Sequence, residues 1–174
     1  NAAYLREKFG AKIAMHHDDS GMVERGDMFW NRRKGNVLLG TIARILFRFG
    51  KKERFKPDLY IEDGYDLSEC GLDAKVLHIP GHSKGSIGIL TADGDLFCGD
   101  LLENKDKPVL SSIMDDLTVA NESVKKLKNL RIKTVYPGHG KPFPMEEFMK
   151  QFQKNDLDKM DEAINETSKY TQGL

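Results

Sequence analysis

The chain has 174 residues, 39% hydrophobic and 31% charged, with Lys+Arg and Asp+Glu both at 27 and a formal net charge of zero. That is the composition of one globular domain with length for a real core, not of a disordered chain. The balanced charge lacks the basic footprint of a nucleic-acid binder, no apolar run is long enough for a bilayer, and two cysteines, Cys70 and Cys98, make no disulfide framework, so a reduced cytoplasmic setting is expected.

Tyr4, Leu5 and Phe9 share a helical face and Gly10 suits the position after a helix end, so residues 1–10 read as a helix and its stop. Residues 11–15 follow as a strand, and Asp18 or Asp19 is placed to cap a short helix. Composition shifts over residues 21–56. Met22, Met28, Phe29 and Trp30 precede a basic turn at Arg32-Arg33-Lys34-Gly35. Leu38, Ile42, Ile45 and Phe49 then recur at helical spacing, and residues 36–49 read as a core-packed helix rather than a membrane-surface one.

From Pro57 onward strands are expected over 59–61, 75–79, 86–91 and 95–98, with 68–73 as a connecting loop. Asp93-Gly94 between two apolar runs predicts a hairpin. Residues 109–114 are ambiguous. Asp115 or Asp116 is expected to cap a helix reaching about residue 129, with Leu117, Val124 and Leu127 on one face. Residues 132–136 read as the last strand, stopped by Pro137-Gly138, and helices over 145–152 and 156–170 close the chain. Strands mixed with flanking helices give an α/β layered fold.

Three segments carry chemistry: Pro80-Gly81-His82-Ser83, Phe97-Cys98-Gly99-Asp100 and Tyr136-Pro137-Gly138-His139-Gly140. Each follows an apolar run and sets a metal-ligand side chain where a strand is expected to turn into a loop. Imidazole, carboxylate and imidazole suit zinc, iron or manganese. Singly, each has an ordinary reading: His82 a hydrogen-bonded turn histidine, Asp100 a loop-capping carboxylate, His139 a surface-loop residue. His16 and His17 are adjacent, so their side chains diverge and a shared ion is not expected. His78 reads as packed or exposed without a functional role, Cys98 as a small buried residue, and Ser83, Lys84 and Ser86 as a solvated turn.

In the order His, Asp, His, these segments resemble the second half of the metallo-β-lactamase superfamily of metallohydrolases, over residues 1 to about 148. The family's first-half motif, H-x-H-x-D-H, does not occur in the 174 residues, and residues 1–10 resemble the helix that follows it. The first residue is Asn rather than Met, so a longer precursor, a cleaved product or a trimmed chain is expected. The resemblance implies a single domain over 1–174, the C-terminal part of an αββα sandwich, with residues 21–56 as a helical insertion beside the active-site mouth.

It also implies that His82 completes one metal site, that Asp100 bridges two metals as the catalytic carboxylate, and that His139 completes the second site. Zinc is the expected ion at both, with iron or manganese as alternatives. Two ions about 3.5–4 Å apart share a hydroxide that attacks the substrate, so no Ser or Cys nucleophile is needed. Asp100 stands where zinc β-lactamases carry Cys, residues 101–104 depart from true glyoxalase II, and Glu103 stands where acyl-homoserine lactonases carry Tyr.

The implied activity is glyoxalase II-like hydrolysis of a small-molecule thioester, ester or lactone. Phosphodiester hydrolysis and a non-catalytic, self-associating remnant are the alternatives. With three of the family's ligands present, this chain alone is expected to be impaired. The missing strands are expected to leave uncovered faces that favour a homo-oligomer, with residues 11–15 near the exposed region.

Overall fold

A computed structural model of the chain describes residues 1–32 and 50–153, and the helices expected over 36–49 and 156–170 lie outside them. Helix α1 (Ala2–Phe9) stops at Gly10, whose φ of 65° and N–H bond to the Arg6 carbonyl close the last turn. Its Tyr4, Leu5 and Phe9 face solvent. Arg6 holds the helix instead, pairing with Asp58 at 2.7 Å and donating to the Lys56 carbonyl.

Strand β1 (Ala14–Met15) pairs in parallel with β2 (Leu59–Tyr60) as a small second sheet. Between them in the chain, α2 (His17–Arg25) is capped by neither Asp18 nor Asp19. His16 keeps extended backbone, and its ring nitrogen Nδ1 accepts the Asp18 N–H. The two aspartates therefore fall inside the first turn, where carboxylates suit the positive end of the helix.

The main sheet has six strands: β3 (Ala74–His78), β4 (Ile87–Thr91), β5 (Asp95–Asn104), β6 (Pro108–Leu110), β7 (Thr134–Gly140) and β8 (Phe143–Pro144). Their order is β3-β4-β5-β7-β8, with β6 paired to the far part of β5. The expected hairpin joins β4 to β5 through Gly94 at φ 91°. β5 and β7 run parallel, which requires a crossover, and α3 (Leu117–Lys128) supplies it. Asp116 is its cap, accepting the Thr118 and Val119 N–H groups. Residues 145–153 are helical.

One face of the sheet forms the core. Ile79, Leu96, Cys98 and Val135 pack with Ala120, Val124 and Leu127 of α3 and with Phe148. On the opposite face Phe97 is 47% exposed and stacks on Tyr136 at 4.8 Å. Among the described residues no helix is long and apolar enough to cross a membrane.

Two strands outrun their expected ends. β5 does not stop at Cys98. Its alternation, Leu96 and Cys98 inward with Phe97 outward, breaks at Gly99 (φ 53°), after which Leu101, Leu102 and Glu103 are all buried. The pairing with β7 shifts register on both sides of that glycine, so the strand bends and continues. β7 likewise runs through Pro137-Gly138. Its neighbour β8 reaches only Thr134 and Val135, so Pro137 lies on an edge segment that tolerates a missing N–H.

Candidate metal centre

His82 follows β3 through a turn fixed from below by α3. Gly81 holds φ 145°, and a Cβ there would collide with Ala120. The Gly81 carbonyl accepts the Asp115 and Asp116 N–H groups at 2.8 and 3.0 Å, and the Ser123 hydroxyl donates to the Pro80 carbonyl at 2.7 Å. His82 Nδ1 lies 2.7 Å from the Ile113 carbonyl oxygen. That oxygen can only accept, so Nδ1 carries the proton and the lone pair is on Nε2.

That lone pair faces Asp100. The bend at Gly99 turns the carboxylate between two imidazoles: Oδ2 is 3.7 Å from His82 Nε2, and Oδ1 is 3.6 Å from His139 Nε2. His139 is the penultimate residue of β7. Its glycine neighbours are required, because a Cβ at Gly138 would collide with Asp100 Oδ1 and one at Gly140 with the Asn104 carbonyl. Both N···O separations exceed hydrogen-bond length. An ion about 2.1 Å from both atoms at a tetrahedral angle separates them by about 3.4 Å. The donor set therefore fits a divalent ion on either side of Asp100. All three expected ligand residues converge, although only His82 sits beyond a strand end.

A cavity of about 240 Å³ adjoins Asp100, with Met15, His16, Asp19, Ser83 and Cys98 in its wall. Asp19 of α2 accepts the Ser83 hydroxyl at 2.5 Å and the Gly85 N–H at 2.9 Å, and the Ser86 hydroxyl lies 2.7 Å from that of Ser83. Ser83 is thus buried, not part of a solvated turn. Of the three turn residues, Lys84 is the exposed one. Nothing in the local sequence signals the Asp19 contact, which spans 64 residues. Burial pushes the Cys98 thiol up to about 11, so it is no nucleophile at neutral pH.

His78 is packed against its neighbours. Its Nε2 bonds to the Lys84 carbonyl at 2.8 Å, its backbone N–H donates to Asp63, and its ring stacks on His16 with centroids 4.2 Å apart and planes 7° from parallel. His16, Asp18 and His78 bring ligand atoms within 4.8 Å of one another. An ion bonds in the plane of an imidazole, so two stacked parallel rings cannot both address it. Burial first, and His78 second, hold the His16 pKa below its ordinary value. His17 points away toward Tyr60, as expected for an adjacent residue.

The family model described as the metallo-beta-lactamase superfamily matches residues 1–139. Hydroxyacylglutathione hydrolase of Francisella philomiragia subsp. philomiragia is 29% identical over 106 residues, which cover 60% of this chain and 39% of that protein. Acyl-coenzyme A thioesterase MBLAC2 of Bos taurus is 27% identical over 143 residues, 78% of this chain and 51% of that protein. The chain thus spans about half or less of these relatives' length. The solved structure of TTHA1623 in a di-iron-bound form aligns with a TM-score of 0.59 at 24% identity, covering 82% of this chain and 64% of that one. The family match covers most of the chain and takes in all three converging residues: the chain belongs to the metallo-beta-lactamase superfamily.

Proposed function

We propose that His82, Asp100 and His139 are metal ligands and that the protein of which they form part hydrolyses a thioester of a small molecule. One observation carries the reading: each oxygen of Asp100 faces the Nε2 of a different histidine, the placement of a carboxylate shared by two ions. A bound ion supplies a water of lowered pKa and polarises the substrate carbonyl. Zinc suits the N and O donors, with iron or manganese as alternatives. Ile113 fixes the His82 tautomer, and α3 fixes the turn that carries it.

Two similar proteins bear the names hydroxyacylglutathione hydrolase and acyl-coenzyme A thioesterase, which favours a thioester over an ester, lactone or phosphodiester. Catalytic zinc sites keep about three protein ligands per ion, and H-x-H-x-D-H does not occur in these 174 residues. This chain by itself is therefore expected to bind metal weakly and turn over near background. A second reading, self-association, is favoured by the open sheet face at Phe97 and Tyr136, and light scattering reads it directly.

The test is turnover of a hydroxyacyl-glutathione and an acyl-coenzyme A by the protein that carries these residues together with an H-x-H-x-D-H segment. Asp100→Asn should lower turnover by about a hundredfold or more and reduce bound metal, with the melting curve of the metal-free protein unchanged. Full activity in Asp100→Asn, or in enzyme stripped of metal, removes the reading.

A further inference from the structure

Residues 26–32 form a turn that delivers one side chain. Trp30 lies against Gly21 of α2, where a Cβ would collide with the indole, and the Arg25 guanidinium sits 3.9 Å over the Trp30 ring. Asn31 then holds φ 60°, a left-handed conformation uncommon outside glycine. Its side chain latches that conformation: Nδ2 donates to the Asp18 carbonyl at 3.2 Å, and Oδ1 accepts from Lys84 Nζ at 3.0 Å.

Arg32 follows and enters the metal centre, with Nη2 3.3 Å from His82 Nε2. That is the nitrogen turned toward Asp100. Arg32 Nε is buried with no hydrogen-bond partner, and His82 is the one side chain its guanidinium bonds among the described residues. A buried N–H left unmatched is costly, and a donor set that holds a metal ion has no need of a second cation beside it. The His82 lone pair accepts one partner at a time. An ion that engages this nitrogen frees the N–H now directed at it, and an anionic oxygen, a stronger acceptor than neutral imidazole, draws the same N–H away without one.

We infer that Arg32 is a catalytic residue that receives the negatively charged oxygen formed when water adds to the substrate carbonyl. This rests on the hydrolase reading of the same site. Water oxygen bonds to the carbonyl carbon as a proton leaves to solvent, and the C=O π pair moves onto oxygen. The pair returns as the C–S bond breaks and thiolate departs. Arg32 keeps its charge and moves no proton; its N–H donors are aimed where charge develops. Its distance from a ligand nitrogen assigns it to the reacting end of the substrate.

Methylphosphonate is tetrahedral, anionic and not cleaved, and titrating it into the chelator-treated chain tests the assignment. Wild type should bind it saturably and shift the His82 ring resonances. Arg32→Ala should weaken binding about tenfold and erase the shift, as loss of one charge-assisted hydrogen bond implies, with Arg32→Lys in between. Thermal melts of Arg32→Ala and Arg32→Gln check that the fold is kept. Affinity within about twofold of wild type in both folded variants overturns the inference, as does wild type without saturable binding. The probe undergoes no reaction, so its result stands apart from the Asp100→Asn turnover test.

Discussion

Asp19 ties α2 to the loop that carries His82, and removing it should cost more than its exposed neighbours on the helix. Asp19→Ala deletes the acceptor of two buried donors, the Ser83 hydroxyl at 2.5 Å and the Gly85 N–H at 2.9 Å. A hydrogen bond to a charged group contributes about 1.5–3 kcal/mol. Ser83 retains its contact with the Ser86 hydroxyl, which recovers part of one bond and leaves a loss of about 3 kcal/mol. With a urea m-value of about 2 kcal/mol per molar, the unfolding midpoint should fall by about 1.5 M. Trp30, the one tryptophan, packs on α2 and reports the local transition by fluorescence, while circular dichroism reports the whole. Asp19→Asn keeps an acceptor without the charge and should lose about half as much. An Asp19→Ala midpoint equal to wild type by both probes would refute the argument.

The two remaining predictions concern acid and metal. His16 has a pKa held below 6.5 by burial and by His78, against the opposing pull of Asp18, Asp19 and Glu62. The unfolded chain therefore takes up this proton at higher pH than the folded one, so the contribution is present above about pH 6.5 and lost as pH falls through the folded pKa. His16→Asn caps α2 without titrating and should flatten the acid-side decline of urea midpoints; identical slopes in the two proteins would sink this account. Gly138→Ala places a Cβ against Asp100 Oδ1 and should displace the carboxylate, weakening cobalt binding about tenfold or more by calorimetry in the protein that also carries an H-x-H-x-D-H segment. Unchanged affinity would mean that Asp100 does not hold the ion from this position.

Much of the fold was legible because it depends on neighbours in sequence. Gly10 and Asp93-Gly94 act within a few residues, and Asp116 caps with its own carboxylate, so each was found where expected. The three candidate ligands were legible as residue types beside glycines, yet their strand-end setting was misread twice. Gly99 looked like a stop and is a bend, because a continuous partner strand keeps β5 paired beyond it. Pro137 looked like a stop and sits on an edge, a fact decided by how far β8 reaches. The Asp19–Ser83 bond, the His16–His78 stack and the aim of Arg32 join residues 50 or more apart. Such contacts leave no periodicity or spacing in the local sequence. His16 as a cap was missed for another reason: aspartates beside it are the better caps by propensity, and the strand pairing of β1 set the helix start before them.

The parallel pairing of β5 with β7 also has a consequence in time. β6 ends at Leu110 and β7 begins at Thr134, so during synthesis the crossover through α3 must emerge before β5 gains its second long neighbour. At about 5–20 residues per second this interval lasts a few seconds. Throughout it Asp100 has His82 but no His139, and the β5 edge that β7 will cover stands open to other strands. The emerging polypeptide is thus most vulnerable to mispairing before the carboxylate gains its second imidazole, and a chaperone that shields β5 would act in that window.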